Sequence, residues 1–257
     1  DNLQYCKRLT TDSIAMTDRH ALPLMSSQVR LAVDIGGTFT DLVLEGPRGR
    51  LSAKVLTTPR APEEAVMSGL RQLLAAAGLE PSSVGLFIHG TTLATNALIE
   101  RKGARTACVV TEGFRDILEI AYERRYSQYA INITKPDLIV PRARAFTLGG
   151  RMAADGTELV PLDEAAVPQL VRAITESGAQ AVAICLLHAY ANPAHEIRAG
   201  EIAREIWPNG NITLGHALIS ESREFERGVT AAVNASVQPL LRRYVERLAD
   251  RLSERGY

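Results

Sequence analysis

No stretch of eighteen apolar residues occurs in the 257-residue sequence, so nothing in it reads as a membrane-spanning helix. Net charge is absent as well. Lys and Arg number 29 and Asp and Glu 29, so the basic footprint of a nucleic-acid or anionic-membrane binder is missing, and neither partner is expected. Cysteine is scarce. Cys6, Cys108 and Cys185 have no metal-like spacing, and the last two sit in apolar runs as expected buried thiols. That usage fits a reducing cytoplasm better than secretion. No signal-peptide core is present, so the glycosylation-like triplets at Asn132, Asn211 and Asn234 carry no weight. Walker A, nucleophile-elbow and dinucleotide fingerprints are missing, as are internal repeats. His188 and His195 lack a third ligand at metal spacing, so no zinc site is expected.

Hydrophobic residues make up 46% and charged residues 23% of the chain. That composition supports a substantial core, as one large or two small domains. The richest stretch runs from Val33 to Val43. One apolar run ends in Asp34, the turn Gly36-Gly37-Thr38 follows, and a second run begins after Asp41. This pattern reads as a β-hairpin. Glycines let the backbone approach a ligand, and freed amides beside the Thr38 and Thr40 hydroxyls suit phosphate oxygens. Asp34 and Asp41 are candidate ligands of Mg²⁺, a hard cation that prefers oxygen. The plain alternative is an ordinary hairpin with solvated Thr and Asp.

The rest of the chain alternates. Three short strands span Val29 to Leu56, with a turn at Gly46-Pro47-Arg48-Gly49. Pro62-Glu63-Glu64 opens a helix that Gly78 ends. Val84 to His89 is expected as a buried strand, and Thr91 or Thr92 as the cap of a helix through Ile99. There His89, Gly90, Thr91, Thr92 and Asn96 would surround a small polar ligand at a helix N-terminus. Otherwise they are a cap and a core histidine. Ala104 to Val110 is the next strand. Glu112 to Asp116 is a ligand loop or a plain turn. Tyr122 to Pro161 is loose, with turn signals. A helix from Leu162-Asp163 to Gly178, a buried strand Ala181 to Leu187, a helix from Asn192-Pro193 to Ile206 and a strand Asn211 to Leu214 follow. From Glu224 a long helix carries the stripe Leu240, Leu241, Tyr244, Val245, Leu248 and Leu252. This order suits an α/β fold with a mixed sheet.

Asp34-Ile-Gly-Gly-Thr-Phe-Thr-Asp41 resembles the first phosphate loop of the hydantoinase A/5-oxoprolinase family, within the sugar kinase/Hsp70/actin superfamily. His89 to Leu98, Val110 to Leu118 and Ala183 to Glu196 carry the same resemblance, in order, from about Val29 to Tyr244. It implies an actin-like ATPase, ribonuclease H-like N-terminal lobe with a mixed sheet and flanking helices. It implies ATP and Mg²⁺ as cofactors. Asp34, Gly36, Gly37, Thr38, Thr40 and Asp41 would take the phosphates, and the His89 to Asn96 segment would line the substrate cleft. The implied activity is ATP-driven opening of cyclic amides such as hydantoins or 5-oxoproline, with ketone carboxylation in relatives. A hydantoinase B-type partner subunit, a homo-oligomer or both are implied. The alternatives are a non-catalytic binding or assembly module and, less favoured, a sugar-kinase-like phosphotransferase.

Family members extend further, and no second Gly-Gly-Thr loop follows Asp41. The expected organisation is therefore a disordered leader over 1–28, with Met25 near the natural start, and an N-terminal domain over 29–217. The beginning of a truncated catalytic domain would occupy 218–257. The stripe near the end reads as a helix packed on its own domain or, cut off from a second lobe, as a surface for self-association.

Overall fold

From Val29 onward every second side chain turns inward, the period of a strand. In the computed structural model, which describes residues 13–16, 29–47, 49–123, 127–133 and 135–257, this becomes β2 (Val29–Ile35), β3 (Phe39–Gly46) and β4 (Gly49–Leu56). Arg48 and most of the leader, with Met25 and Cys6, lie outside the described residues. Ser13–Met16 belong to the stretch expected to stay out of the fold, yet they form β1, antiparallel to β4.

The chain divides into two units, one of Asp1–Ile99 with Leu241–Tyr257 and one of Glu100–Leu240. In the first, helix α1 (Pro62–Ala77) starts with a proline in its first turn and ends on Gly78 at φ 63°. Strand β5 (Val84–Thr91) and helix α2 (Leu93–Ile99) follow. The sheet order is β1-β4-β3-β2-β5, antiparallel except for the parallel pair β2–β5. Strand β5 is not buried as expected. It sits at the sheet edge, Leu86 is 42% and Ile88 52% exposed, and Phe87 joins the core. Pairing on one side and alternation of side chains leave half of an edge strand in solvent.

Leu31, Val33, Ile35 and Leu42 from the sheet meet Val66, Leu70 and Leu73 from α1 in the core of this unit. The end of the last helix, α7 (Glu224–Ser253), supplies Tyr244 and Leu248, with Leu252 packed against them. Arg251 and Arg247 pair with Glu64 at 2.8 Å and Glu63 at 3.7 Å. Tyr244, Leu248 and Leu252 of the apolar stripe therefore have burial partners within this unit, while Val245 is 54% exposed. Three of the stripe's six residues thus pack as a helix lying on its own domain would.

The second unit has β6 (Thr106–Thr111), the short α3 (Ile117–Ile120), β7 (Ala145–Leu148), β8 (Arg151–Met152), β9 (Glu158–Val160), α4 (Val167–Glu176), β10 (Ala181–Ile184), α5 (Ala194–Ile206), β11 (Ile212–Leu214) and α6 (Gly215–Leu218). Its sheet runs β11-β10-β6-β7, all parallel. Every residue of β6 and β10 is buried, as expected where both faces of a parallel sheet are covered. Val171 and Ile174 of α4, with Ala199 and Ala203 of α5, pack with Val109, Val182 and Ile184. Ala231 and Ala235 pack with Cys108, Val110 and Ala183 in the other cluster. The two buried thiols are free, and burial pushes Cys108 up to about 12. Among the described residues no helix is long and apolar enough to cross a membrane. The α/β fold with a mixed sheet expected from element order is present, and among the described residues a four-stranded parallel sheet and the antiparallel pair β8–β9 stand beside the mixed one.

Candidate functional site

Strands β2 and β3 pair from Arg30–Glu45 up to Ile35–Thr40, so Asp34 stands directly opposite Asp41. The Gly36 amide donates to the Phe39 carbonyl at 2.9 Å and closes the turn. A Cβ at Gly36 would lie 2.9 Å from that oxygen, and one at Gly37 would lie 3.1 Å from Asn96 Nδ2. These contacts give the two glycines different reasons: a tight turn at the first and a close neighbour at the second.

The Gly36 amide is occupied, contrary to the expectation that both glycine amides are free. Among the described residues, the amides of Gly37 and Thr38 have no backbone partner, and the Thr38 side chain is exposed. Thr40 turns inward. It is fully buried, and its hydroxyl lies 2.9 Å from that of Thr57, which donates to the Gly36 carbonyl at 3.0 Å. The Thr57 amide donates to the Thr38 carbonyl at 2.9 Å. Thr40 and Thr57 thus hold the loop from beneath, with the Thr40 hydroxyl turned away from solvent.

Asp34 is exposed and has no hydrogen-bond or ion-pair partner among the described residues. Gly90 stands next to it on β5 and places no side chain against its carboxylate. Asp41 accepts from Lys54 Nζ at 2.6 and 2.8 Å. Lys54 was not anticipated, although a signal existed. Gly46 pairs with Gly49, and counting equally back and forward from that turn lands on Asp41 and Lys54.

The His89 to Asn96 segment is brought to the loop only in part. His89 is in register with Val33, on the core side of the sheet, and its Nε2 lies 2.8 Å from the Tyr244 hydroxyl. Burial lowers its pKa, against smaller opposing effects of Val33 and Asp34. Thr91 accepts from the Leu93 amide at 3.1 Å and caps α2. Thr92 donates to the Ile35 carbonyl through both its amide, at 3.0 Å, and its hydroxyl, at 3.3 Å. Asn96 Nδ2 donates to the Thr92 hydroxyl at 3.3 Å and lies against Gly37. The segment therefore clamps the loop to the end of β2. The first amide of α2, that of Leu93, is already used.

Two unpartnered amides and a hydroxyl suit phosphate oxygens, and a free carboxylate suits a hard cation. No cluster of three or more His, Cys, Asp or Glu that could hold a metal exists among the described residues. Magnesium does not need one, because it is commonly held by one or two carboxylates with phosphates and water.

In the second unit the Ala183 to Glu196 segment is a braced corner. Fully buried Glu196 accepts from the Leu186 and His216 amides at 2.8 and 2.9 Å and contacts His216 Nδ1 at 2.6 Å. Fully buried Arg227 donates to the Leu186 carbonyl at 3.0 Å and Glu224 at 3.1 Å, and Glu224 accepts the His188 amide. His195 is buried against Glu158 at 2.6 Å. Asp116 pairs with Arg142 at 2.6 Å, so Glu112 to Asp116 ends in a pinned turn.

Residues 30–207 match the family described as the hydantoinase/oxoprolinase N-terminal region. The chain is 36% identical over 240 residues to the caprolactamase subunit alpha of Pseudomonas jessenii, covering 91% of this chain and 34% of that one. It is 30% identical over 242 residues to the acetophenone carboxylase gamma subunit of Aromatoleum aromaticum, covering 88% and 33%. The crystal structure of the ATP-dependent caprolactamase from Pseudomonas jessenii superposes with a TM-score of 0.79 at 36% identity, over 88% of this chain and 34% of that one. The likeness is consistent with an actin-like ATPase fold. The chain spans about a third of the length of these relatives.

Proposed function

The chain belongs to the hydantoinase/oxoprolinase family, whose N-terminal region it carries, and from that premise we propose that it forms the first phosphate-binding part of an ATP-dependent enzyme that opens cyclic amides. One observation carries this reading. Among the described residues, the Gly37 and Thr38 amides and the Asp34 carboxylate, all at one hairpin end, lack hydrogen-bond partners, while bonds from Gly36, Thr57 and Thr92 hold the turn. Similarity to a caprolactamase subunit, at higher identity than to a ketone carboxylase subunit, favours cyclic amides as the substrate class.

In this reading the Gly37 and Thr38 amides and the Thr38 hydroxyl bind phosphate oxygens, and Asp34 holds Mg²⁺. Bound ATP supplies the phosphoryl group that turns an amide oxygen into a good leaving group. The protein's own part is positioning and neutralising charge, the main demands of phosphoryl transfer. Gly36 sets the turn, and Thr40, Thr57, Thr92 and Asn96 fix it before the ligand arrives. Residues 29–217 would form the N-terminal domain, and 218–257 would begin the next. Both relatives are named as subunits, which supports a partner subunit for this chain as well.

The test is ATP-dependent lactam or hydantoin hydrolysis by the longer polypeptide that carries this chain. Asp34→Asn and Thr38→Ala should each cut kcat at least about a hundredfold, the cost of roughly 2.7 kcal/mol of lost transition-state stabilisation. Melting temperatures should stay within a few degrees of the parent. Hydrolysis at the parent rate in both variants would refute the phosphate-loop reading.

A further inference from the structure

Register across β2, β3 and β4 sets Asp34, Asp41 and Lys54 in one row beside the hairpin turn. Two carboxylates directly opposite each other on neighbouring strands repel. The structure settles this unequally. Lys54 takes both oxygens of Asp41, at 2.6 and 2.8 Å, and Asp34 is left without a partner among the described residues. The lysine is not confined to Asp41. Its ammonium also lies 5.1 Å from the centre of the Phe39 ring, two residues nearer the turn. Both members of the pair are half exposed, at 51% for Lys54 and 53% for Asp41, and exposed pairs of this kind contribute little. A phosphate with two or more negative charges is a stronger partner for an ammonium than one half-solvated carboxylate.

We infer that Lys54 is a phosphate-contacting residue of the hairpin site, parked on Asp41 until a nucleotide arrives. Asp41 is its latch and not a metal ligand. This inference rests on the phosphate-loop reading above. It divides the two acids that the sequence presents as equivalents: Asp34 faces the cation and Asp41 holds the lysine. It also gives the row a sequence of events. With Lys54 latched, the row carries one uncompensated negative charge, at Asp34, so a bare phosphate is repelled and a magnesium-bound one is not. Once phosphate is seated, Lys54 swings from Asp41 to its oxygens and leaves Asp41 to solvent.

The experiment is calorimetric titration of ATP, with and without Mg²⁺, into the longer polypeptide carrying this chain, using Lys54→Met, Lys54→Arg, Asp41→Asn, Asp34→Asn and Thr38→Ala. Lys54→Met should weaken Mg·ATP binding roughly tenfold, the loss of one charge-assisted hydrogen bond, and Lys54→Arg should restore most of it. Asp41→Asn should strengthen binding severalfold, because the lysine no longer has to leave a partner. Asp34→Asn should abolish the gain that Mg²⁺ gives. Parent-like binding in Lys54→Met, with Asp34→Asn and Thr38→Ala impaired, would overturn the inference and leave the phosphate loop standing. Loss of the Mg²⁺ effect in Asp41→Asn would overturn it too, by making Asp41 a metal ligand. Parent-like binding in Asp34→Asn and Thr38→Ala would remove the underlying reading and this inference with it.

Discussion

Strand register sets His89 beside Val33 on the core face, where Tyr244 meets it. That placement has a pH consequence. Burial holds the folded-state pKa of His89 below the ordinary 6.5. Below that value the unfolded chain binds a proton that the folded one refuses, so the unfolded state gains stability as pH falls. The contribution is intact above about pH 6.5 and is lost as pH drops toward the folded pKa. The urea midpoint should therefore fall more between pH 7 and pH 5 in the parent than in His89→Gln. Equal falls would assign the acid sensitivity to other groups. Asp34 and Asp41 make a second point at this scale. They are identical residues in mirrored positions, and the strands on their far sides distinguish them: β4 supplies Lys54 to Asp41, and β5 sets Gly90 beside Asp34.

Among the elements, α1 lies closest to the sheet at Gly69. A Cβ there would stand 2.3 Å from Leu42 Cδ1 and 3.0 Å from Cδ2. Glycine inside a helix costs about 1 kcal/mol relative to alanine, so its presence is explained by this close approach. Gly69→Ala should still lower stability by about 1–3 kcal/mol, because Leu42 is fully buried and must be displaced. Denaturant midpoints would show it, and a stabilised variant would mean that helix and sheet separate easily. Helix α2 shows the opposite economy. Its seven residues are held by Thr91, Thr92 and Asn96, and the polar groups that made it look like a ligand site are spent on anchoring the loop.

Across the whole molecule, the first unit is built from both ends of the chain. Leu241–Tyr257 return to Asp1–Ile99, and Tyr244 and Leu248 complete its core. Removing residues 241–257 should open that core and leave the second unit's own clusters unchanged. Amide hydrogen exchange would read this directly. Protection in β2 and α1 should drop while β6 and β10 keep theirs, because local stability follows local burial. Uniform loss of protection in both units would show a single cooperative block instead.

The residue order by itself determined the hairpin, α1 with its glycine stop, the capped α2, the helix after Asn192-Pro193 and the long last helix. Each is encoded by signals within a few residues: turn glycines, caps and hydrophobic period. It also determined the family, through four short segments in order. Only the tertiary structure decided which way those residues face. Thr40 and Thr38 are two apart in one motif, yet one is buried on Thr57 and the other is exposed. Val84 to His89 reads as a core strand, but its position at the sheet edge exposes half of it. The apolar stripe of the last helix needed a partner, and residues more than 150 positions earlier supply it, as the Tyr244–His89 contact shows. Facing, pairing and burial depend on neighbours distant in sequence, and a local pattern cannot carry that information.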